Sequence, residues 1–327
     1  MAKDVYTILF SCIGRRVALV NAFRQALDGL GLQGRVLGAD SSPYSSAARL
    51  CDRVFLVPDS AEAGYVEHLL DVCRREKVDL LIPLIDPELQ VLAGQNARFG
   101  EVGTTLCLSS KQVVEVCRDK VRTYEALVAA GIDTPRVFSY EEAARTGFPL
   151  FMKPRCGSSA RDIHKINTLD QLVFYHREVP GAIIQEFIPG QEFTLDVFTD
   201  FAGVPLCVVP RMRIEVRGGE VSKGMTCRDE ELIRVGLDTV RALKGCRGPI
   251  TIQCFRTPSG RVPVIEINPR LGGGVPLAIE AGADLPRWTI QCARGRKPDV
   301  EAGAWRDRLL MLRYDDAVFV TEDSLKR

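Results

Sequence analysis

The first third of the chain alternates apolar runs of strand length with runs of helical period, and few folds accommodate that alternation. Residues 7–11, 34–39, 54–57 and 80–84 read as short buried strands, while residues 16–30 and 65–77 read as helices between them. Strands joined by helical crossovers pair in parallel, and the ligands of such sheets sit beyond the strands' C-terminal ends. The loop after the first strand, Ser11-Cys12-Ile13-Gly14-Arg15-Arg16, does not complete G-x-G-x-x-G, so a dinucleotide site is disfavoured. After the strand at 80–84, Asp86 and Glu88 have two readings: partners for a substrate amine, or a helix cap with a first-turn acid. The capping reading is favoured. Asp40-Ser41-Ser42 carries the same ambiguity.

Near the other end, Val264-Ile265-Glu266-Ile267-Asn268-Pro269-Arg270 reads as a strand stopped by proline. Glu266 and Asn268 are two residues apart, so a strand projects both to one face. Hard oxygen ligands at that spacing suit Mg²⁺, which takes one or two carboxylates together with phosphate oxygens. Arg270 follows at once, well placed for a transferring phosphoryl group. Taken alone, a wet edge strand explains the pattern equally well. Residues 251–255 read as a partner strand, joined through Thr257-Pro258-Ser259-Gly260, and such a hairpin brings Gln253 alongside Glu266. Residues 148–154 form a short strand ending in lysine. It runs into Arg155-Cys156-Gly157-Ser158-Ser159-Ala160-Arg161, small residues that let backbone N–H groups meet phosphate oxygens. No Gly-Lys-Ser/Thr opens a helix there, so the loop is not a Walker A loop. Residues 183–194 then supply an apolar strand, a turn and the carboxylates Glu186 and Glu192.

These four elements, in this order, resemble the ATP-grasp superfamily, and especially the ATP-grasp modules of the carbamoyl-phosphate synthetase large chain. The resemblance is detailed over residues 111–288 and looser over the N-terminal third. It implies that ATP is bound, with Lys120 and Lys153 on the phosphates and Gly157, Ser158 and Ser159 in the phosphate loop. Glu186, Phe187 and Ile188 would form the hinge at adenine, and Glu192 would meet the ribose. Gln253, Glu266 and Asn268 would hold two Mg²⁺ ions, with Mn²⁺ able to substitute, and Arg270 would bind phosphate. The implied fold is α/β, becoming α+β in the nucleotide-binding part. A parallel-sheet domain over 1–112 precedes a small lobe with linker helices over 113–182 and a large lobe with the metal site over 183–327.

Residues 211–217 alternate charged and apolar side chains, so a strand would put Arg211, Arg213, Glu215 and Arg217 on one face. Three cations around one acid exceed simple pairing, and an anionic ligand completes the set. Gly218-Gly219 and Ser222-Lys223-Gly224 read as a mobile loop closing over that site. Arg213 and Lys223 therefore join Arg270 as candidate catalytic cations. Gly272-Gly273-Gly274 departs from the synthetase pattern and favours a substrate larger than bicarbonate, because glycine lets a ligand approach the backbone.

Net charge +1 over 327 residues argues against a nucleic-acid binder, and no apolar run approaches a membrane span. Eleven cysteines without CxxC pairs fit the reduced thiols of a cytoplasmic protein, with Cys156 the one expected to be exposed. His68, His164 and His176 fall in no acid–base constellation. A modest apolar surface expected on the N-terminal domain would support a homodimer, on which the sequence otherwise says little.

The chemistry implied is phosphoryl transfer from ATP to a carboxylate, followed by attack of an amine on the acyl phosphate. Positioning and charge neutralisation dominate such transfer, so cations and metal ligands suffice. The expected partners are a small amino-acid-like carboxylate and an amine. Two other classes stay open: a synthetase-like enzyme phosphorylating bicarbonate or carbamate with a partner chain, and an ATP sensor without turnover.

Overall fold

The computed structural model describes residues 5–157 and 162–326. Five parallel strands form the first sheet, in the order Arg53–Leu56, Gly34–Asp40, Tyr6–Ser11, Leu80–Pro83 and Thr105–Leu106. Chain order reverses beside Tyr6–Ser11, which opens a crevice at the strands' C-terminal ends. The helix Val17–Gly29 buries Leu19, Val20, Phe23, Ala26 and Leu27, a spacing that lays one apolar stripe on the sheet. Phe23 meets Phe10 edge-on at 5.0 Å between ring centroids.

Two antiparallel sheets follow. The smaller runs Val137–Phe138, Ala182–Glu186, Leu150–Pro154, His164–Ile166. The larger runs Val264–Asn268, Gly248–Arg256, Gln191–Thr199, Pro205–Arg217, Glu220–Thr226, Leu310–Leu312. The expected α/β domain followed by a two-lobed α+β part is the observed architecture.

The boundary expected at 182/183 moves. Ala182–Glu186 pairs with Leu150–Pro154 inside the small sheet, because an apolar run does not state which sheet it will join. The linker helices Lys111–Arg118 and Lys120–Ala129 move the other way. Val113, Cys117 and Leu127 pack with Phe193, Leu195 and Ile252 of the large sheet.

A single apolar core joins the N-terminal domain to the large lobe. Ile8, Phe10, Leu19 and Phe23 share it with Phe198, Val209, Leu285 and Trp288. The small lobe has its own core of Phe138, Ala143, Leu150, Met152, Ile166, Leu172 and Ile184. Among the described residues no helix is long and apolar enough to cross a membrane. Cys156 is exposed, as expected.

Candidate active site

A cleft of about 650 Å³ lies where the three sheets converge. Its first end is framed by both lobes. Lys153, near the end of its strand, is buried and donates to the Ile265 carbonyl at 3.2 Å, which ties the small lobe to the strand carrying Glu266. Burial pushes the Lys153 ammonium down to about 8, Lys120 adds to the depression and Glu266 opposes it. Lys120 opens the helix Lys120–Ala129 and donates to the Gly157 carbonyl at 2.9 Å. Both lysines line the cleft, as their proposed phosphate roles need. Gly157 lines it too, whereas Ser158 and Ser159 lie outside the described residues.

Glu186, Phe187, Ile188 and Glu192 also face the cleft. The Glu186 carboxylate is engaged by Arg261 at 2.7 Å, and Phe187 carries the Lys165 ammonium on its ring at 4.3 Å. Glu192 pairs with Arg213 at 3.2 Å. Burial raises the Glu192 carboxyl above its ordinary value, with Arg213 pulling the other way.

In the middle, the hairpin holds the register read from the sequence. Gln253 faces Glu266 and Thr251 faces Asn268. The Asn268 amide donates to Glu266 at 3.2 Å, and all three candidate metal ligands line the cleft. Among the described residues no cation lies within ion-pair distance of Glu266, and no three His, Cys, Asp or Glu side chains cluster anywhere as a metal site. One unpaired carboxylate beside two amide oxygens fits a hard cation that draws its remaining ligands from phosphate.

The far end is built around Arg270. Its Nε and Nη2 donate to Asp86 at 2.8 and 2.5 Å, so the N-terminal domain clamps the arginine bidentately. Asp86 stands in the first turn of the helix Asp86–Leu92, as the capping reading has it, and is also taken by Arg270, while Glu88 makes the capping contact. Glu88 accepts from the backbone N–H groups of Leu84 and Ile85 and from the Tyr65 hydroxyl, fully buried. Burial raises the Glu88 carboxyl, against those hydrogen bonds. Asp40 likewise closes its own turn, accepting from Gly14 and Ser42.

The expected single face of four charged residues breaks. Register shifts follow Arg213 and Glu215, so Arg211 and Arg213 line the cleft while Glu215 and Arg217 do not. Glu215 instead gathers Lys223 at 2.6 Å, Arg217 at 2.7 Å and Ser222 at 2.8 Å. Lys223 is thus outside the cleft, and Ser222–Gly224 belongs to the strand Glu220–Thr226 rather than to a loop. Gly218 and Gly219 do line the cleft as the tight turn of that hairpin, at φ of 55° and 81°.

Arg211 is held by Asp196 through Nε at 2.5 Å and Nη2 at 3.1 Å, both side chains 1% exposed. Beside it Glu220 receives Arg15 and Arg16 at 3.3 Å each and Arg313 at 3.4 Å. Burial lowers the Arg16 guanidinium from its ordinary value; Glu220 opposes that, and Arg270, Arg313 and Arg15 reinforce it. The three glycines admit these groups. A Cβ on Gly273 would stand 2.9 Å from Arg16 Nη1, and one on Gly274 would stand 2.5 Å from Arg211 Nη1. Arg16, Glu220 and Asp196 escaped the sequence reading. The one signal was Arg15-Arg16 directly after the first strand, where such sheets meet ligands.

The ATP-grasp domain model matches residues 117–274, and the PylC-like N-terminal domain model matches residues 8–107. The carbamoyl phosphate synthase large chain of Caldanaerobacter subterraneus subsp. tengcongensis is 22% identical over 293 residues, 83% of this chain and 27% of that one. This chain thus spans about a quarter of that relative's length. Among solved structures, the biotin carboxylase domain of Hydrogenobacter thermophilus 2-oxoglutarate carboxylase, with MgADP and bicarbonate, aligns at a TM-score of 0.73. Its identity is 17%, over 93% of this chain and 73% of that one. The L-amino acid ligase of Bacillus licheniformis aligns at 0.68, with 19% identity over 90% and 75% of the two chains.

Proposed function

The chain belongs to the ATP-grasp superfamily, and on that premise we propose an ADP-forming carboxylate–amine ligase acting on a small amino-acid-like substrate through an acyl phosphate. One observation carries this reading. The same cleft holds two lysines at one end, a carboxylate without an ion pair beside two side-chain amides in the middle, and arginines beyond. That is the order of charge needed to take a γ-phosphoryl group from ATP towards an acceptor.

Lys120 and Lys153 neutralise the nucleotide phosphates. Gln253, Glu266 and Asn268 would hold Mg²⁺, which when bound draws charge from the phosphate oxygens during transfer. A substrate carboxylate oxygen attacks the γ-phosphorus and ADP departs. The amine nitrogen then attacks the acyl carbon, and inorganic phosphate leaves with the bonding pair. Arg270, fixed by Asp86, and Arg213, beside Glu192, neutralise the charge that builds on the transferring group.

The relatives named carbamoyl phosphate synthase support a second reading, in which bicarbonate is the acceptor. ADP release measured with MgATP, hydroxylamine and a panel of amino and hydroxy acids separates the two. Hydroxamate from one acid is expected; ADP release that needs only bicarbonate supports the second reading. Glu266→Gln should lower turnover by roughly a hundredfold or more, by analogy with single electrostatic contacts in a transition state. Equal background turnover in parent and variant would show instead a nucleotide sensor.

A further inference from the structure

Five guanidinium groups, those of Arg15, Arg16, Arg211, Arg270 and Arg313, meet three carboxylates, Asp86, Asp196 and Glu220, at the far end of the cleft. The excess is positive, and two of its donors are unspent. Arg16 Nη1 and Arg211 Nη1 are buried and have no acceptor among the described protein atoms. A buried guanidinium N–H without an acceptor is unfavourable, so its persistence points to a partner the protein does not itself supply.

Asp196 explains which donor is left over. It occupies Nε and Nη2 of Arg211, whose side chain is 1% exposed, and leaves Nη1 as the unspent donor of a residue that lines the cleft. Glu220 does the same for Arg16 by holding Nη2. Gly273 and Gly274 bring both free donors against consecutive residues, where any side chain would displace them. The phosphoryl-handling arginine is a different group. Arg270 is already forked onto Asp86 and reaches Asn268 at 3.5 Å.

From this geometry we infer that Arg16 and Arg211 form a subsite for a second, non-reacting carboxylate, carried by one of the two substrates. A carboxylate has two oxygens to accept from two guanidinium groups, which matches the two free donors. The inference rests on the ligase reading, and it makes the N-terminal domain a reader of substrate. Two sources share this chemistry: a dicarboxylic acid activated at its other end, or an α-amino acid whose nitrogen is the nucleophile.

Calorimetric titration of the full chain loaded with MgADP tests it. The probes are succinate, glutarate and adipate, each beside its monoamide, and the proteinogenic L-amino acids, each beside its carboxamide. At least one carboxylate should bind on the order of tenfold more tightly than its amide partner. Preference within the diacids assigns the subsite to the acid, and preference within the amino acids assigns it to the amine. Arg16→Gln should erase the preference while changing MgATP affinity less than about twofold. Gly273→Ala is a second variant, because the atoms its methyl group would meet first are the movable ends of Glu220 and Arg16.

No preference in any pair overturns the inference. So does a preference untouched by both variants, or an Arg16→Gln variant that weakens MgATP itself tenfold, which would give these cations to the phosphoryl group. ADP release is read separately. Carboxylate preference without turnover under any acid would keep the subsite and remove the ligase reading; turnover without preference would do the reverse.

Discussion

The small lobe packs Leu150, Met152, Ile166 and Leu172 into a core of its own, whereas the N-terminal domain and large lobe, beside separate cores, share a third that joins them. Polar bridges join the small lobe to the rest. The Thr134 hydroxyl donates to the Val264 carbonyl and the Val264 N–H to the Asp133 carbonyl, Arg261 pairs with Asp133 and Glu186, and Lys153 reaches Ile265. Apolar burial acts at short range, while exposed ion pairs such as those of Arg261 are weak and exchange readily with water. The far end of the cleft, with Arg16, Asp86, Arg211 and Arg270, is therefore carried by segments anchored in the shared core through Leu84, Val209 and Leu271. The end with Lys120 and Lys153 spans the junction between the separate cores. On the proposed function, that division would set substrate recognition on the rigid elements and nucleotide exchange at the polar seam.

The largest effect should come from breaking the rigid side. Asp196→Ala leaves the Arg211 charge buried without a partner, an expected loss of about 3–5 kcal/mol in stability. Both tryptophans, Trp288 and Trp305, belong to the shared core, so denaturant unfolding followed by their fluorescence reports it directly. The N-terminal domain should unfold in the same transition. Two separated transitions would show that the shared core is not shared energetically.

Leu172→Ala should cost about 2–5 kcal/mol, from the same kind of apolar truncation seen in other cores, but only locally. Hydrogen exchange should rise across residues 137–186 and stay low in the N-terminal strands. The tryptophan midpoint should hardly move. An equal shift of that midpoint would mean the small lobe is not an independent unit.

Much of the rigid side was hard to read from the sequence, and the reason is distance along the chain. Lys153, Glu266 and Asn268 announce themselves because each sits in a contiguous strand whose period fixes its face, and Arg270 because it follows the second of those strands at once. Gln253 follows from one hairpin turn. The partners that fix the arginines come from far away. Asp86 meets Arg270, and Arg16 meets Glu220, across separations that only the packing of three sheets defines. Asp196 sits mid-strand, one more residue in an alternating run, until Arg211 is seen opposite. The strand alternation of the first domain was legible because crossovers leave their helical period between the strands. The allegiance of Ala182–Glu186 was not, since an apolar run pairs with whichever edge is nearest in space.

A pH series sharpens the contrast on the nucleotide side. Lys153 is depressed to about 8 by burial, below its ordinary lysine value of 10.5. Between those two values the unfolded chain binds the extra proton, so the free protein should gain stability as pH rises through that window. Below about pH 8 the burial penalty is fully present. Phosphate needs the charged form, so MgATP affinity should move the opposite way, falling roughly tenfold between about pH 7 and pH 9. Lys153→Arg keeps the charge and should flatten that profile. A parent profile already flat would place the nucleotide phosphates elsewhere.

Lys223 should show the smallest effect, and the reason lies in two register shifts. Had Pro205–Arg217 stayed regular, Glu215 would have followed Arg211 and Arg213 into the cleft and brought Lys223 with it. The shifts after Arg213 and Glu215 turn that pair outwards, where Lys223, Arg217 and Ser222 surround one carboxylate in solvent. Exposed pairs of this kind contribute about 0–1 kcal/mol. Lys223→Ala should therefore leave kcat within about twofold, with kcat/KM equally little changed. Arg213 lies only two residues before Glu215, and Arg213→Ala should cost far more, because its guanidinium is buried against Glu192 inside the cleft. A tenfold fall in kcat for Lys223→Ala would mean the hairpin rotates inwards when ligands bind, and the rigid side of the cleft would then extend only as far as Arg213.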